Sequence, residues 1–302
     1  MRICYKCGYM VLSNESFHGL HQHCFRIWFG QTSPIDFTNV SLKRDFDASG
    51  QTPTHHHTSF FHGKFKKYSA QLADKSYILK VQQQEYLELP QIEYLSNIIA
   101  QRLGLHIPPF YFIRFLNEMD TFVVHNFMDS YKPGNLIHIY HFLQDNDEFS
   151  VTTILAIIAD KVGRREAIYQ FIYACLFDAL IGNHDRHGRN IALIETKKGM
   201  VLSPLYDNPS YIGLENHGLL LAQHNPKGKV ATRSTCEPTI RDYVQEFKNL
   251  GYTSVVTSFL ARSRRINFDD IIQKPYLSEK RQIAFLVLIK RRMEELENAI
   301  LA

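Results

Sequence analysis

The sequence predicts an α+β protein of two lobes, a small sheet-rich one followed by a larger and mostly helical one. Three observations carry this. Residues 59–128 read as β, β, helix, β, β. Beyond residue 150, three long segments place apolar residues at helical spacing. The apolar run IYACLFDALI (172–181) then gives way abruptly to the polar string GNHDRHGRN (182–190). At 302 residues, 45% hydrophobic and 21% charged, the chain is long enough to bury a sizeable core as one large domain or two lobes.

The elements follow in order. Residues 1–30 form a Cys- and His-rich head ending in the amphipathic FRIWFG. Residues 31–58 carry Pro, Ser, Thr, Gly and Asp with weak periodicity and read as connector and mobile loop. The sheet-rich lobe spans 59–130. It opens with FFHGKFKKYSAQLADKSYILKV, a hairpin turning at ADKS whose second strand is SYILKV. Pro90 opens a helix over QIEYLSNIIAQRLG, with Leu95, Ile98, Ile99 and Leu103 on one face and Gly104 as its stop. Two strands follow, PFYFIRFL and TFVVHNFM, joined by NEMD. In the helical lobe, 131–302, the helices are VTTILAIIADKVG, REAIYQFIYACLFDALIG and RQIAFLVLIKRRMEELENAIL, with a short β-like pair, NIALIE and GMVLSPLYD, among them.

Composition also excludes some classes. A net charge of +4 without a strong basic block gives no reason to expect direct nucleic-acid binding. No apolar run reaches about 18 residues, and MRICYKCGYM lacks the charged head and apolar body of a signal peptide, so no membrane association and a cytoplasmic location are expected. Five cysteines in a chain of this length do not suggest a disulfide framework, and Cys236 stands alone.

Asp185 and Asn190 stand as D-x-x-x-x-N, with Asp207 seventeen positions beyond Asn190 across the β-like pair. Phosphoryl transfer needs that order. One carboxylate takes the proton of the attacking hydroxyl, while an asparagine oxygen and a second carboxylate hold magnesium against nucleotide phosphates. On its own, GNHD is also what a helix end with Gly182 as stop looks like. Lys80, at the end of a strand and followed by a helix bearing Glu93, adds the lysine and glutamate pair that positions phosphates in kinases. Taken singly, Lys80 would serve as an edge-strand surface charge and Glu93 as a first-turn carboxylate. No G-x-x-x-x-G-K-[ST] pattern is present, which disfavours a Walker-type ATPase.

IGNHDRHGRNIAL (181–193) followed by LSPLYDNPSY (202–211) resembles the catalytic and metal-binding segments of HipA-like serine/threonine kinases. ILKV with Lys80 and LPQIEYLSNIIAQRLGLHIPP (89–109) resemble that family's nucleotide lysine and the helix with its paired glutamate. The resemblance runs from about residue 59 to the C-terminus. It implies a two-lobed HipA-like kinase fold with Asp185 as catalytic base, Asn190 and Asp207 as magnesium ligands, and Lys80 with Glu93 on the ATP phosphates. His187 and Asn183 fall on family positions that shape the catalytic loop.

Two departures from the family pattern stand out. Where the family's phosphate-covering loop reads like SGxQPK, this chain has SFFHGKFKK, which keeps Ser59, Gly63 and Lys67 but lacks the Gln-Pro. The resemblance implies autophosphorylation of a hydroxyl there, with Ser59 and Thr58 as candidates. The added charge of about 1.5 to 2 units would expel the loop and weaken ATP binding, and Lys64, Lys66 and Lys67 could hold the new phosphate. The chain also looks too short ahead of its kinase core to hold the family's additional N-terminal subdomain. In this it is most similar to HipT, the short toxin kinase of three-gene toxin-antitoxin systems, with separate proteins resembling HipS and HipB as partners and a translation component such as an aminoacyl-tRNA synthetase as substrate. The rival readings are a small-molecule or phosphatidylinositol-like lipid kinase, whose loops GNHDRHGRN also resembles, and a pseudokinase binding module.

The head carries C-x-x-C then H-x-x-C. Cys4, Cys7, His21 and Cys24 are four ligands with spacing suited to tetrahedral, structural Zn2+, and His18 or His23 could replace His21.

Overall fold

The computed structural model describes residues 2–12, 14–42, 66–145, 147–214 and 229–302. Thr58, Ser59, Gly63 and Lys64 lie outside the described residues. The described chain packs as two compact units, Met1–Tyr94 with Pro108–Asp129, and Leu95–Ile107 with Ser130–Ala302. The division falls inside one helix. Among the described residues no helix is long and apolar enough to cross a membrane.

The first unit begins with two small hairpins, β1 (Arg2–Ile3) with β2 (Met10–Val11) and β3 (Ser16–Phe17) with β4 (Leu20–His21), and the helix α1 (Gln22–Phe29). Gly30 ends α1 in the left-handed conformation, at φ 66°, which glycine adopts without steric cost. A strand, β5 (Thr38–Leu42), then forms inside the segment whose sequence reads as connector. All five of its residues are exposed, so no apolar alternation marks it, and Asn39 at φ 50° interrupts its register against the next strand. Its strand character comes from pairing rather than from its side chains.

The main sheet is antiparallel. It consists of β5, β6 (Lys66–Leu72), β7 (Lys75–Val81), β8 (Phe110–Phe115) and β9 (Met119–His125), in the order β5-β6-β7-β9-β8. The helix α2 (Leu89–Leu103) connects β7 to β8. Register sorts the side chains by face, because directly opposed residues share one. Tyr77, Leu79, Val123 and Tyr111 line one face, and Lys67, Lys80, Phe122 and Phe112 the other.

The head wraps the β8 edge. Phe29 packs against Tyr111 at 4.3 Å and Tyr5 against Phe112 at 4.6 Å, with tilted rings, on opposite faces of the strand. The Arg114 N–H donates to the His18 carbonyl at 2.9 Å. An edge strand left bare invites intermolecular pairing, and the head covers this one.

The second unit is built around α4 (Arg165–Ile181), buried continuously from Phe171 to Ile181. A helix apolar on all sides has to be surrounded, and α3 (Val151–Lys161), α5 (Ile240–Asn249), α6 (Thr253–Ser263) and α8 (Glu279–Leu301) pack on it, with the short α7 (Phe268–Ile272) against α8. A three-stranded antiparallel sheet, β10 (Asn135–His138), β11 (Ala192–Thr196) and β12 (Gly199–Leu202), completes the unit. Ser150 caps α3 and Thr239 caps α5 with a full capping box.

Candidate active site

The apolar run of α4 contains one charge, Asp178, buried on the last turn. Gly182 then stops the helix at φ 72°. A β-carbon there would also come within 2.7 Å of the Tyr211 ring, so both the backbone and the packing require glycine. The chain doubles back. The Asn183 amide donates to Asp178 Oδ1 at 2.8 Å, and Asn183 Oδ1 accepts the Asp185 N–H at 3.0 Å.

Arg186 organises the rest. Its Nε and Nη2 donate to both oxygens of Asp178 at 2.8 and 2.9 Å. Nη1 donates to the carbonyls of Asn190 at 3.2 Å and Tyr206 at 2.6 Å, and Nη2 also donates to Asn208 Oδ1 at 2.6 Å. A guanidinium has five N–H donors, and these five bonds use them all. Burial alone would depress its pKa, but the Asp178 carboxylate, with a smaller contribution from Asp207, outweighs burial and raises it. Arg186 is therefore a fixed internal cation with no donor left for a phosphate. The Asn208 amide passes the chain of bonds on to Asn97 Oδ1 at 3.0 Å.

This network sets the predicted residues. Asn190 donates through Nδ2 to the Asp185 carbonyl at 2.8 Å, which fixes which end of its amide is oxygen. Tyr206 is held by Arg186 at its carbonyl and donates its hydroxyl to the Arg189 carbonyl at 3.0 Å. The next residue, Asp207, sits in left-handed backbone at φ 51°, a conformation Asp and Asn tolerate better than other side chains. The Asp185 carboxylate is 63% exposed, and His187 Nε2 lies 3.9 Å from it. Burial lowers the His187 pKa, and the two aspartates nearby offset this only in part. The network brings Asn183, Asp185, His187, Asn190 and Asp207 together in one unit.

Lys80 and Glu93 belong to the first unit and are 3% and 1% exposed. The Lys80 ammonium donates to Glu93 Oε1 and lies 5.6 Å over the Phe122 ring. β7 has β6 on one side and β9 on the other, so Lys80 is not on an edge strand. Lys67, also buried, stands directly opposite Lys80 on the same face, while Lys66 is exposed. This face therefore carries two lysines side by side, with the Glu93 carboxylate bonded to one of them.

In the head, the ligand atoms of Cys4, Cys7, His21 and Cys24 all lie within 4.8 Å of one another. His21 Nδ1 is 3.4 Å from Cys7 Sγ, and its Nε2 pairs with the Met10 carbonyl at 3.0 Å. His18 instead bonds the Arg114 carbonyl and Asp36.

Asp178, Arg186, Asn208 and Asn97 escaped the motif reading. One signal was present, a lone acid in the otherwise apolar run 171–181, which demands a buried cationic partner.

An antiparallel sheet unit with a buried lysine and glutamate, and a helical unit with D-x-x-x-x-N and a further aspartate, together define a kinase fold. Residues 54–264, more than half of the chain, match the model of the HipA-like C-terminal domain, and the chain belongs to that family. Among solved structures it is similar to the proinflammatory kinase CtkA of Helicobacter pylori, with a TM-score of 0.64 and 15% identity over 78% of this chain and 93% of that one. It is also similar to HipA of Shewanella oneidensis MR-1, solved with HipB and operator DNA, with a TM-score of 0.54 and 18% identity over 74% of this chain and 58% of that one. At these identities the likeness is one of fold. Among curated proteins, none matches.

Proposed function

We propose that this chain is an ATP- and magnesium-dependent kinase that phosphorylates serine or threonine hydroxyls of proteins. The observation that supports this most is the Arg186 network, which holds an exposed carboxylate, Asp185, beside two oxygen donors, Asn190 and Asp207. Asp185 orients the attacking hydroxyl and takes its proton. Asn190 Oδ1 and the Asp207 carboxylate are hard oxygen ligands that suit magnesium, and the commitment of Asn190 Nδ2 to the Asp185 carbonyl leaves Oδ1 as its ligand atom. Magnesium, when bound, neutralises charge developing on the transferred phosphoryl group. Lys80, steadied by Glu93, takes the nucleotide phosphates, with Lys67 on the same face.

In the cell this kinase acts as the toxin of a toxin-antitoxin module of the HipT kind. Its substrate is a translation component such as an aminoacyl-tRNA synthetase, and autophosphorylation at Thr58 or Ser59 weakens ATP binding. The likeness to a HipA solved with HipB supports antitoxin partners. Incubating the purified chain with ATP and magnesium and mapping phosphosites by mass spectrometry tests the reaction class. Phosphate on protein hydroxyls is the expected result. Transfer only to an inositol lipid or other small molecule, or none at all, overturns the reading.

A further inference from the structure

The head reaches the helix that carries Glu93 by two routes, one through Asp120 and one direct, and each starts within a helical turn of a residue of the Cys4, Cys7, His21, Cys24 cluster. Tyr5 follows Cys4 in the chain. Its hydroxyl donates to Asp120 Oδ1, and Asp120 Oδ2 accepts the Gln91 amide at 2.7 Å, two residues before Glu93. Trp28 lies one helical turn beyond Cys24 in α1 and packs edge-on against Tyr94, one residue after Glu93, at 6.4 Å. Tyr94 in turn stacks on Phe112, the ring that Tyr5 covers. Arg114 lies 4.8 Å over the Tyr5 ring and steadies it.

A tetrahedral zinc with bonds of about 2.0–2.3 Å needs its four ligand atoms roughly 3.5–4 Å apart. These four lie within 4.8 Å of each other, a small contraction away. Their chemistry is also right, three sulfurs and one imidazole. The His21 Nε2 pairing with the Met10 carbonyl is the outer-shell contact that turns Nδ1 toward a metal. The cluster joins β1, β4 and α1, elements too short to hold their arrangement by their own hydrogen bonds.

We propose that Cys4, Cys7, His21 and Cys24 bind one Zn2+, the three thiols releasing their protons to solvent, and that the filled site braces the first two turns of α2 through Tyr5 and Trp28. The metal is structural, since four protein ligands leave no open coordination position. The brace holds Glu93 against Lys80, and this part rests on the reading of that pair as the phosphate-positioning pair. Tyr5 is a positioning residue, acting through Asp120 and Gln91.

The test uses the full chain, purified without chelator. Elemental analysis should find about one zinc per chain, and cobalt substitution should give tetrahedral ligand-field bands with thiolate-to-cobalt charge transfer. His18→Ala and His23→Ala should keep the metal, and His21→Ala should weaken its binding. Removing zinc should speed hydrogen exchange at the amides of 91–94 by about fivefold or more, as should Tyr5→Phe with zinc still bound. In an ATP assay Tyr5→Phe should raise KM for ATP and leave kcat nearly unchanged. Absence of zinc together with no tetrahedral cobalt spectrum rejects the site. Bound zinc whose removal leaves exchange at 91–94 unchanged rejects the brace. Both readouts need no ATP, so they stand or fall separately from the kinase reading.

Discussion

Lys80 and Arg186 are both buried cations paired with a buried carboxylate, yet their surroundings give them different work. Lys80 offers a compact charge on a flexible stem, on a sheet face that carries a second lysine opposite it. Arg186 offers a planar fork whose five donors all end on atoms of its own unit. Under the proposed function the lysine delivers charge to a ligand. The arginine delivers none and instead fixes where Asp185, Asn190 and Asp207 stand. A basic residue inside a polar motif such as GNHDRHGRN is thus not necessarily a contact to a ligand.

The comparison breaks most visibly at Arg186. Arg186→Met leaves Asp178 buried without its partner and strands the Asn190 and Tyr206 carbonyls, so unfolding in denaturant should show a loss of about 3–5 kcal/mol. A loss below about 1 kcal/mol would mean that the network is not structural.

Removing whole pairs sharpens the contrast. Lys80→Met/Glu93→Leu should recover most of the stability lost in Lys80→Met, because both charges leave together. Arg186→Met/Asp178→Leu should recover less, since the carbonyls of Asn190 and Tyr206 and the Asn208 amide oxygen stay unsatisfied. Equal recovery in the two doubles would erase the distinction. The Lys80 and Glu93 double should still fail to bind ATP in calorimetry.

The smallest expected effect is that of pH. Burial lowers the pKa of His106, His125, His138 and His187 below the ordinary 6.5. Where the unfolded chain binds protons that the folded chain refuses, stability rises with pH. Stability should therefore be complete above pH 6.5 and fall as pH drops through 6.5 toward the depressed folded values. Unfolding curves that show a gain over that window would contradict the shifts.

β6 to β9, β11, β12, α2, α3, α4 and α8 were legible because each leaves a local period, and the spacing of Asp185, Asn190 and Asp207 marked out residues that the structure places in one unit. β5 was not, because an all-exposed strand has no period and owes its existence to β6. Asn97 and Asn208 were not legible either. Their partnership spans 111 residues, and nothing local marks an asparagine that bonds so far away. Asp178 was half legible, since a buried acid announces a partner without naming it. Lys80 shows how one strand reading hides a second, for an edge strand and a central strand differ only in what pairs beside them.

The most direct test of the account is Asp207→Asn, assayed at saturating magnesium alongside its unfolding curve. Asparagine tolerates the left-handed backbone at φ 51° as aspartate does, and it removes the charge while keeping the size of the side chain. Loss of phosphoryl transfer with the unfolding free energy held within about 0.5 kcal/mol is the expected result. Wild-type transfer in that variant would contradict the assignment of Asp207 to magnesium and, with it, the proposed chemistry of the site.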